Sequence, residues 1–219
     1  MDHLPNKTAL VLGASGLIGS ILTRMLLDSE TYHRVTILVR RPLDLTHPRL
    51  NQEVINFDQP DAGKVRGDDV FCCLGTTIKV AGSKEAFYKV DATYPYELAK
   101  LARANGASQF LLVTAMGADP KAFIFYNRVK GEVEEKIATL NHDSYSIFRP
   151  SLLLGDRKEV RPGEKMAQSF SGIFSALMVG PLKKYKPIEA RKVAAAMQKV
   201  ALRRLKGRYV FESNQLQEY

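Results

Sequence analysis

Short apolar runs rich in β-branched residues alternate along this chain with longer segments in which apolar residues recur at helical spacing. The runs that predict strands are residues 8–14, 35–40, 53–58, 69–75, 110–116 and 144–154. The segments that predict helices are residues 17–29, 85–105 and 127–141, with a break expected at Pro95 in the second. Strands that alternate with helices pair in parallel, because each helix carries the chain back along the sheet. We therefore predict an α/β fold, a doubly wound parallel sheet with helices on both faces.

The chain of 219 residues is long enough for one domain with a substantial core, and no repeat or low-complexity linker divides it. We expect residues 1–155 to form the sheet domain and residues 156–219 to form a small C-terminal extension packed on it. The apolar middle of residues 156–190 is compatible with a substrate pocket or lid, a subunit contact, a lipid contact or plain core packing. Residues 189–207 predict a closing helix that ends at Gly207.

Three glycines, Gly13, Gly16 and Gly19, lie where the first strand should turn into the first helix. Glycines at such a turn let the backbone approach a pyrophosphate, whose charge the N–H groups and dipole of the helix N-terminus stabilise. A tight structural turn is the alternative, but the position after the first strand of an alternating pattern favours a dinucleotide site. The segment matches neither the P-loop nor the nucleophile-elbow pattern.

About 20 residues after these glycines, a site selective for NAD usually carries a carboxylate for the ribose hydroxyls. This chain has Arg40 and Arg41 there instead, and a guanidinium suits a 2′-phosphate. We therefore predict NADP(H) as the cofactor, with an exposed basic turn as the alternative. Asp58, at the end of the third predicted strand, could accept the adenine amino group or be an ordinary turn residue.

Two tyrosine–lysine pairs have the four-residue spacing that places both side chains on one helix face: Tyr96 with Lys100, and Tyr126 with Lys130. The second pair opens the helix after the fifth strand, where ligands bind in a doubly wound sheet. We predict that Tyr126 donates a proton to a carbonyl substrate and that Lys130 assists the proton release and binds the nicotinamide ribose. Thr114, at the end of the fifth strand, is the expected hydroxyl partner of the substrate oxygen.

Composition limits the other classes of function. The two cysteines are adjacent, Cys72 and Cys73, and the four histidines are scattered, so we expect no disulfide, no metal site and a reducing, cytoplasmic setting. The first residues do not resemble a signal peptide, and no apolar stretch is long enough to span a membrane.

Residues 151–219 carry 14 Lys and Arg against 6 Asp and Glu. No nucleic-acid motif accompanies this charge, so we expect a solvated surface rather than a nucleic-acid or membrane-surface site.

The residues singled out above, with the segments CCLGTT, KGEVE and FRPSLLLGDRKEVRPGE, resemble the Tat-interacting protein 2-like oxidoreductases, an atypical branch of the short-chain dehydrogenase/reductase superfamily. The resemblance covers nearly the whole chain, although the superfamily usually has Ser where this chain has Thr114. It implies a Rossmann domain that binds NADPH. The remaining cofactor-binding residues that it implies are Ser15, Leu17, Ile18, Leu74, Gly75, Thr76 and Leu153.

Two hypotheses about function follow. The first is an NADPH-dependent reductase of a small carbonyl compound. The second is a catalytically weak protein that senses NADPH and reports it to a protein partner. A third, a nucleic-acid or membrane-surface role for the basic C-terminal third, has less support.

Overall fold

A parallel sheet forms the centre of the molecule in this computed structural model, which describes residues 7–155 and 185–219. Its seven strands run in the order β3-β2-β1-β4-β5-β6-β9. The bounds of these strands are β1 Lys7–Leu12, β2 Tyr32–Val39, β3 Leu50–Val54, β4 Asp69–Cys72, β5 Gln109–Val113, β6 Ser144–Arg149 and β9 Gly207–Glu212. Two short strands, β7 Leu153–Leu154 and β8 Ile188–Glu189, pair separately and also in parallel.

Helices cover both faces of the sheet, as the alternating pattern predicts. Their bounds are α1 Leu17–Asp28, α2 Ile78–Ala81, α3 Lys84–Tyr88, α4 Tyr94–Ala104, α5 Phe125–Ala138, α6 Ala190–Arg203 and α7 Ser213–Leu216. A 3₁₀ turn spans Ala62–Lys64, and a π turn, Lys89–Thr93, joins α3 to α4. Apolar side chains of α1 and α6 share one core with the sheet, and those of α4 and α5 share the other. Cys72 belongs to the second core and Cys73 packs against the first, as expected of adjacent residues on a strand.

The strand order reverses between β1 and β4, because the chain builds outward from β1 through β2 and β3 and then returns to add β4 on the other side. A doubly wound sheet binds ligands in the crevice at such a reversal, outside the carboxyl ends of the strands. The fold therefore places the glycine turn after β1 at the expected ligand crevice.

Several strands differ from the sequence-based expectation. The predicted strand over residues 144–154 ends at Arg149 as β6, and Leu153–Leu154 form the separate β7. The third strand is Leu50–Val54 rather than residues 53–58, and its polar residues are tolerated because β3 lies at the edge of the sheet. The last strand, β9, was not predicted at all. It pairs with β6, so residues 207–212 complete the sheet rather than lie on it.

The closing helix also ends earlier than predicted. It stops at Arg203, and Arg204 adopts the left-handed conformation at φ 49°. Gly207, the expected cap, instead begins β9. Residues 156–184, the greater part of the segment considered above as a pocket or lid, lie outside the described residues.

Candidate nucleotide and catalytic site

The glycine turn is closed by contacts that exclude any side chain. Gly13 has φ +84°, and a Cβ there would lie 2.6 Å from the carbonyl oxygen of Cys73. A Cβ on Gly19 would lie 2.2 Å from the carbonyl oxygen of Gly13, while the N–H of Gly16 donates to that same oxygen at 3.0 Å. The turn therefore packs backbone against backbone between β1, β4 and α1, which explains the glycines at its first and last positions.

The first turn of α1 is open to a ligand. Gly16 is the N-cap residue, and it supplies no side-chain cap for the helix N–H groups. Ser15 and Gly16 are exposed, Leu17 is half-buried and Ile18 is buried in the core, so Ile18 offers a ligand only its backbone. Free N–H groups at a helix N-terminus attract an anion such as a pyrophosphate.

Two other predicted cofactor-binding segments adjoin this turn. The Cys73–Leu74 backbone contacts Gly13, which places the end of β4 and the following Gly75 and Thr76 beside the turn. Leu153 packs against the core that contains α1, and a Cβ on Gly155 would lie 2.9 Å from a methyl of Leu17. The structure thus brings the residues after β1, β4 and β6 to one end of the sheet.

Arg40 and Arg41 lie directly after β2, the strand beside β1, and both are exposed. Their position at the carboxyl end of β2 allows either guanidinium to meet a charged group bound at the glycine turn.

Asp58 is four residues beyond the end of β3 and is already engaged. Its Oδ1 accepts a hydrogen bond from the Tyr94 hydroxyl at 2.6 Å and lies 2.7 Å from Nζ of Lys89. The Lys89 ammonium, followed by the Tyr94 hydroxyl, lowers the pKa of this carboxyl below its usual value. An adenine contact would have to use Oδ2.

Tyr126 and Lys130 lie on the first two turns of α5, facing the second core. The Tyr126 ring packs against Phe87 at a centroid distance of 5.6 Å, and Nζ of Lys130 is 5.9 Å from the Tyr126 ring centroid. In the alternative pair, Tyr96 also packs against the second core, from α4, but Lys100 is exposed. The two pairs therefore differ in the burial of the lysine, and the choice of Tyr126 stays a prediction.

A buried carboxylate that sequence reasoning missed completes this arrangement. Asp91 is 1% exposed, and its Oδ1 lies 2.7 Å from Nζ of Lys130 without the alignment of a regular hydrogen bond. Its Oδ2 accepts the backbone N–H of Thr76 at 2.8 Å. Asp91 therefore links the end of β4 to α5.

The π turn between α3 and α4 explains how Asp91 reaches this position. In a regular α-helix the ring of Pro95 would clash with the carbonyl of residue 91, four positions earlier. The chain avoids the clash by widening to a π turn, in which the N–H of Tyr94 donates to the carbonyl oxygen of Lys89. A single buried Asp in an apolar helical pattern, four residues before a Pro, was the available sequence signal.

Asp91 also determines the charge state of Lys130. Burial alone would lower the pKa of the Lys130 ammonium, since a cation is poorly solvated there. The negative charge of Asp91, with smaller contributions from Tyr126 and the Cys72 thiol, outweighs burial and raises the pKa of Lys130 above its usual value. Lys130 is thus a cation, and its nearest charged neighbour is Asp91.

Thr114 occupies a different environment from the one expected. Its hydroxyl donates to Oε1 of Glu134 at 2.6 Å, and both residues are buried. Arg149 pairs with both Glu134 oxygens, at 3.1 and 2.5 Å, and continues the network to Glu212. A hydroxyl has one proton, so Thr114 can only accept a further hydrogen bond, whereas a carbonyl oxygen needs a donor. This geometry does not support Thr114 as the substrate's hydrogen-bond donor, and it assigns the residue to a buried network on α5, β6 and β9 that sequence reasoning missed.

The two cysteines are poor nucleophiles. Burial raises the pKa of Cys72 to about 12 and that of Cys73 well above its usual value.

Within residues 7–155 and 185–219, no cluster of three or more His, Cys, Asp and Glu side chains is placed to bind a metal ion. No helix in the same part of the chain is long and apolar enough to cross a bilayer.

The fold is that of an NAD(P)-binding Rossmann-fold protein of the short-chain dehydrogenase/reductase type. Its features are the seven-stranded doubly wound sheet, the glycine turn before α1 and the tyrosine–lysine pair at the start of α5. A family model described as NAD(P)H-binding matches residues 13–168. Among solved structures, MoeE5 in complex with UDP-glucuronic acid and NAD has a TM-score of 0.72 and 15% identity, covering 93% of this chain and 75% of that one. WbmH from Bordetella bronchiseptica in complex with NAD⁺ has a TM-score of 0.69 and 17% identity, covering 94% and 76%.

Closer relatives define the family. Protein HTATIP2 of Rattus norvegicus is 42% identical over 175 residues, which cover 77% of this chain and 72% of the relative. Protein FMP52, mitochondrial, of Candida albicans is 33% identical over 193 residues, 84% of this chain and 82% of the relative. This chain belongs to the NAD(P)H-binding, Tat-interacting protein 2-like family within the atypical short-chain dehydrogenases/reductases.

The cytoplasmic setting expected from the cysteines is contradicted by these relatives, several of which carry the word mitochondrial in their names. The expectation failed because reduced, buried thiols indicate a reducing surrounding, and more than one compartment provides that.

Proposed function

We propose that this protein is an NADP(H)-dependent reductase of a small carbonyl compound, with Tyr126 as the proton donor. The observation that carries the proposal is the buried Lys130 ammonium on α5, which would lie 3.6 Å from a Cβ on Gly75, with Tyr126 about one turn earlier on the same helix. An ammonium for the nicotinamide ribose and a phenol for the substrate carbonyl are the groups that a reductase of this class needs near each other.

The described residues fit a dinucleotide. The open first turn of α1 would hold the pyrophosphate, Arg40 and Arg41 a 2′-phosphate, and Leu74, Gly75, Thr76 and Leu153 the nicotinamide half. A Cβ on Gly75 would lie 3.4 Å from Oδ1 of Asp91 and 3.6 Å from Nζ of Lys130, so this backbone comes close to the lysine ammonium. Lys130 is therefore placed to donate to a ribose hydroxyl bound over Gly75.

A bound NADPH would supply a hydride to the carbonyl carbon. Tyr126 then gives its hydroxyl proton to the carbonyl oxygen, and the phenolate that remains regains a proton from solvent. The positive charge of Lys130 stabilises that phenolate while it exists. Because the proton of Thr114 is used by Glu134, Tyr126 is the donor that this proposal relies on.

The test combines cofactor binding with turnover. Purified protein is titrated with NADPH by cofactor fluorescence and then assayed against a panel of aldehydes and ketones. Tyr126→Phe should lower turnover by about 10²-fold or more, the usual contribution of a general acid, and leave NADPH affinity within about twofold.

Tyr96→Phe is the matched control, because it removes the hydroxyl of the other tyrosine–lysine pair, and it should leave turnover unchanged. Loss of turnover in both variants would contradict the assignment of Tyr126. Tight NADPH binding without turnover of any carbonyl compound would contradict the reductase and favour the cofactor-sensing alternative.

A further inference from the structure

The ion pair between Asp91 and Lys130 affects whether Tyr126 holds or releases its proton. Both side chains are buried, at 1% and 4% exposure, so little solvent screens the charges. The Tyr126 ring lies against the same ammonium, with Nζ 5.9 Å from its centroid. One cation is thus close both to a buried carboxylate and to the ring of a tyrosine that must hold or release a proton.

Without a counter-charge, a buried ammonium would favour the phenolate form of a neighbouring tyrosine. A phenolate readily accepts the proton of an alcohol, so such a site suits alcohol oxidation. A carboxylate 2.7 Å from the ammonium offsets part of that attraction at the tyrosine.

We infer that Asp91 offsets the pull of Lys130 on the Tyr126 proton, so that the site is set to donate a proton to a carbonyl oxygen rather than to withdraw one from an alcohol. This inference rests on the proposed function for its consequence, since it assumes that Tyr126 exchanges a proton with substrate. Asp91 acts through Lys130 and is a positioning residue.

The surroundings of the pair support the assignment. Asp91 is fixed from two sides, by the Thr76 N–H at 2.8 Å and by the π turn. Among residues 7–155 and 185–219, the titratable groups that interact with the ammonium are Asp91 from the π turn, Tyr126 from α5 and the Cys72 thiol from β4. The raised pKa of Cys72 keeps that thiol neutral near pH 7, so within this set Asp91 is the negative charge opposing Lys130.

The experiment follows phenolate formation at Tyr126 by absorbance near 295 nm during alkaline titration, without cofactor or substrate. Each variant is compared with the same variant carrying Tyr126→Phe, so that the difference reports Tyr126 alone. Asp91→Asn keeps an acceptor for the Thr76 N–H but removes the charge. It should lower the midpoint of Tyr126 ionisation by about one pH unit, the order expected on removing one nearby charge at an effective dielectric constant of about 20.

A second variant is needed because Asp91→Asn leaves a buried cation unpaired, and an unpaired buried charge destabilises the folded protein. The double variant Asp91→Asn/Lys130→Met has no unpaired charge, and its midpoint should stay close to that of the unaltered protein. An unchanged midpoint in Asp91→Asn, or a midpoint raised by about one pH unit in the double variant, would overturn the inference.

Glu135→Gln is the matched control. It removes one negative charge from an exposed position on the same helix, where Glu135 pairs with Arg208, and should not move the Tyr126 midpoint. Turnover is measured separately. A shifted midpoint in a protein that reduces no carbonyl compound would contradict the proposed function but leave the Asp91 assignment standing.

Discussion

At Gly131, in the middle of α5, there is no room for a methyl group. A Cβ there would lie 2.2 Å from the carbonyl carbon of Asp119 and from the nitrogen of Pro120. The loop between β5 and α5 therefore packs directly on the helix that carries Tyr126 and Lys130. The sequence segment KGEVE contains this glycine, but helical periodicity by itself gave no reason for it.

Gly131→Ala should destabilise the protein by about 1–3 kcal/mol, the cost of forcing atoms into a packed site. This reverses the usual effect, since Ala in place of Gly inside a helix stabilises by about 1 kcal/mol. The measurement is denaturant unfolding. Gly106→Ala is the comparison: Gly106 has φ +87° and no heavy atom within 4 Å of its would-be Cβ, so only backbone strain is added. Stabilisation by Gly131→Ala would contradict the close contact.

Strand β2 has exposed arginines near both of its ends. Arg34 is its third residue, and Arg40 and Arg41 directly follow it. All strands of the main sheet are parallel, so their amino ends lie at one end of the sheet and their carboxyl ends at the other. Only the carboxyl end adjoins the glycine turn, so we expect a cofactor contact from Arg40 and Arg41 and none from Arg34.

Arg40→Ala/Arg41→Ala should weaken NADPH binding by about 10- to 100-fold, because each guanidinium can make charge-assisted hydrogen bonds to a 2′-phosphate. NADH, which lacks that phosphate, should bind unchanged. Cofactor fluorescence measures both affinities, and Arg34→Ala serves as the control on the same strand. Equal loss for NADPH and NADH would contradict a role in recognising the 2′-phosphate.

Over the whole molecule, stability depends on a histidine far from the candidate site. His142 is buried against Phe110 in the turn before β6, and burial, followed by the charge of Arg103, lowers its pKa to about 4. The unfolded chain takes up this proton near pH 6.5, whereas the folded protein does so only near pH 4. The folded state is therefore destabilised progressively as the pH falls from about 6.5 to 4.

Acid titration of the unfolding free energy should show a loss of at most about 3 kcal/mol from this residue between pH 6.5 and 4. His142→Phe should remove that part of the slope and leave the rest. Equal slopes in the His142→Phe variant and the unaltered protein would show that His142 is solvated when folded.

Much of the fold was readable from the sequence because it depends on local signals. The apolar runs and helical periods identified five of the strands closely and the positions of α1, α4 and α5, and the glycines marked the turn before α1. The sequence missed β9 and shifted β3, since edge strands carry polar and exposed residues that weaken the pattern.

The sequence by itself indicated the parallel sheet and the glycine turn, because the alternation of strands and helices and the helix periodicity are read from neighbours in the chain. It also predicted Tyr126 rather than Tyr96 as the proton donor, which stays a prediction. Only the tertiary structure revealed that Asp91 pairs with Lys130 and that Thr114 gives its proton to Glu134. These partners are 39 and 20 residues apart in the chain, and contacts between side chains so far apart depend on how whole elements pack. The electrostatics of the site therefore comes from packing, while its location comes from the order of the strands.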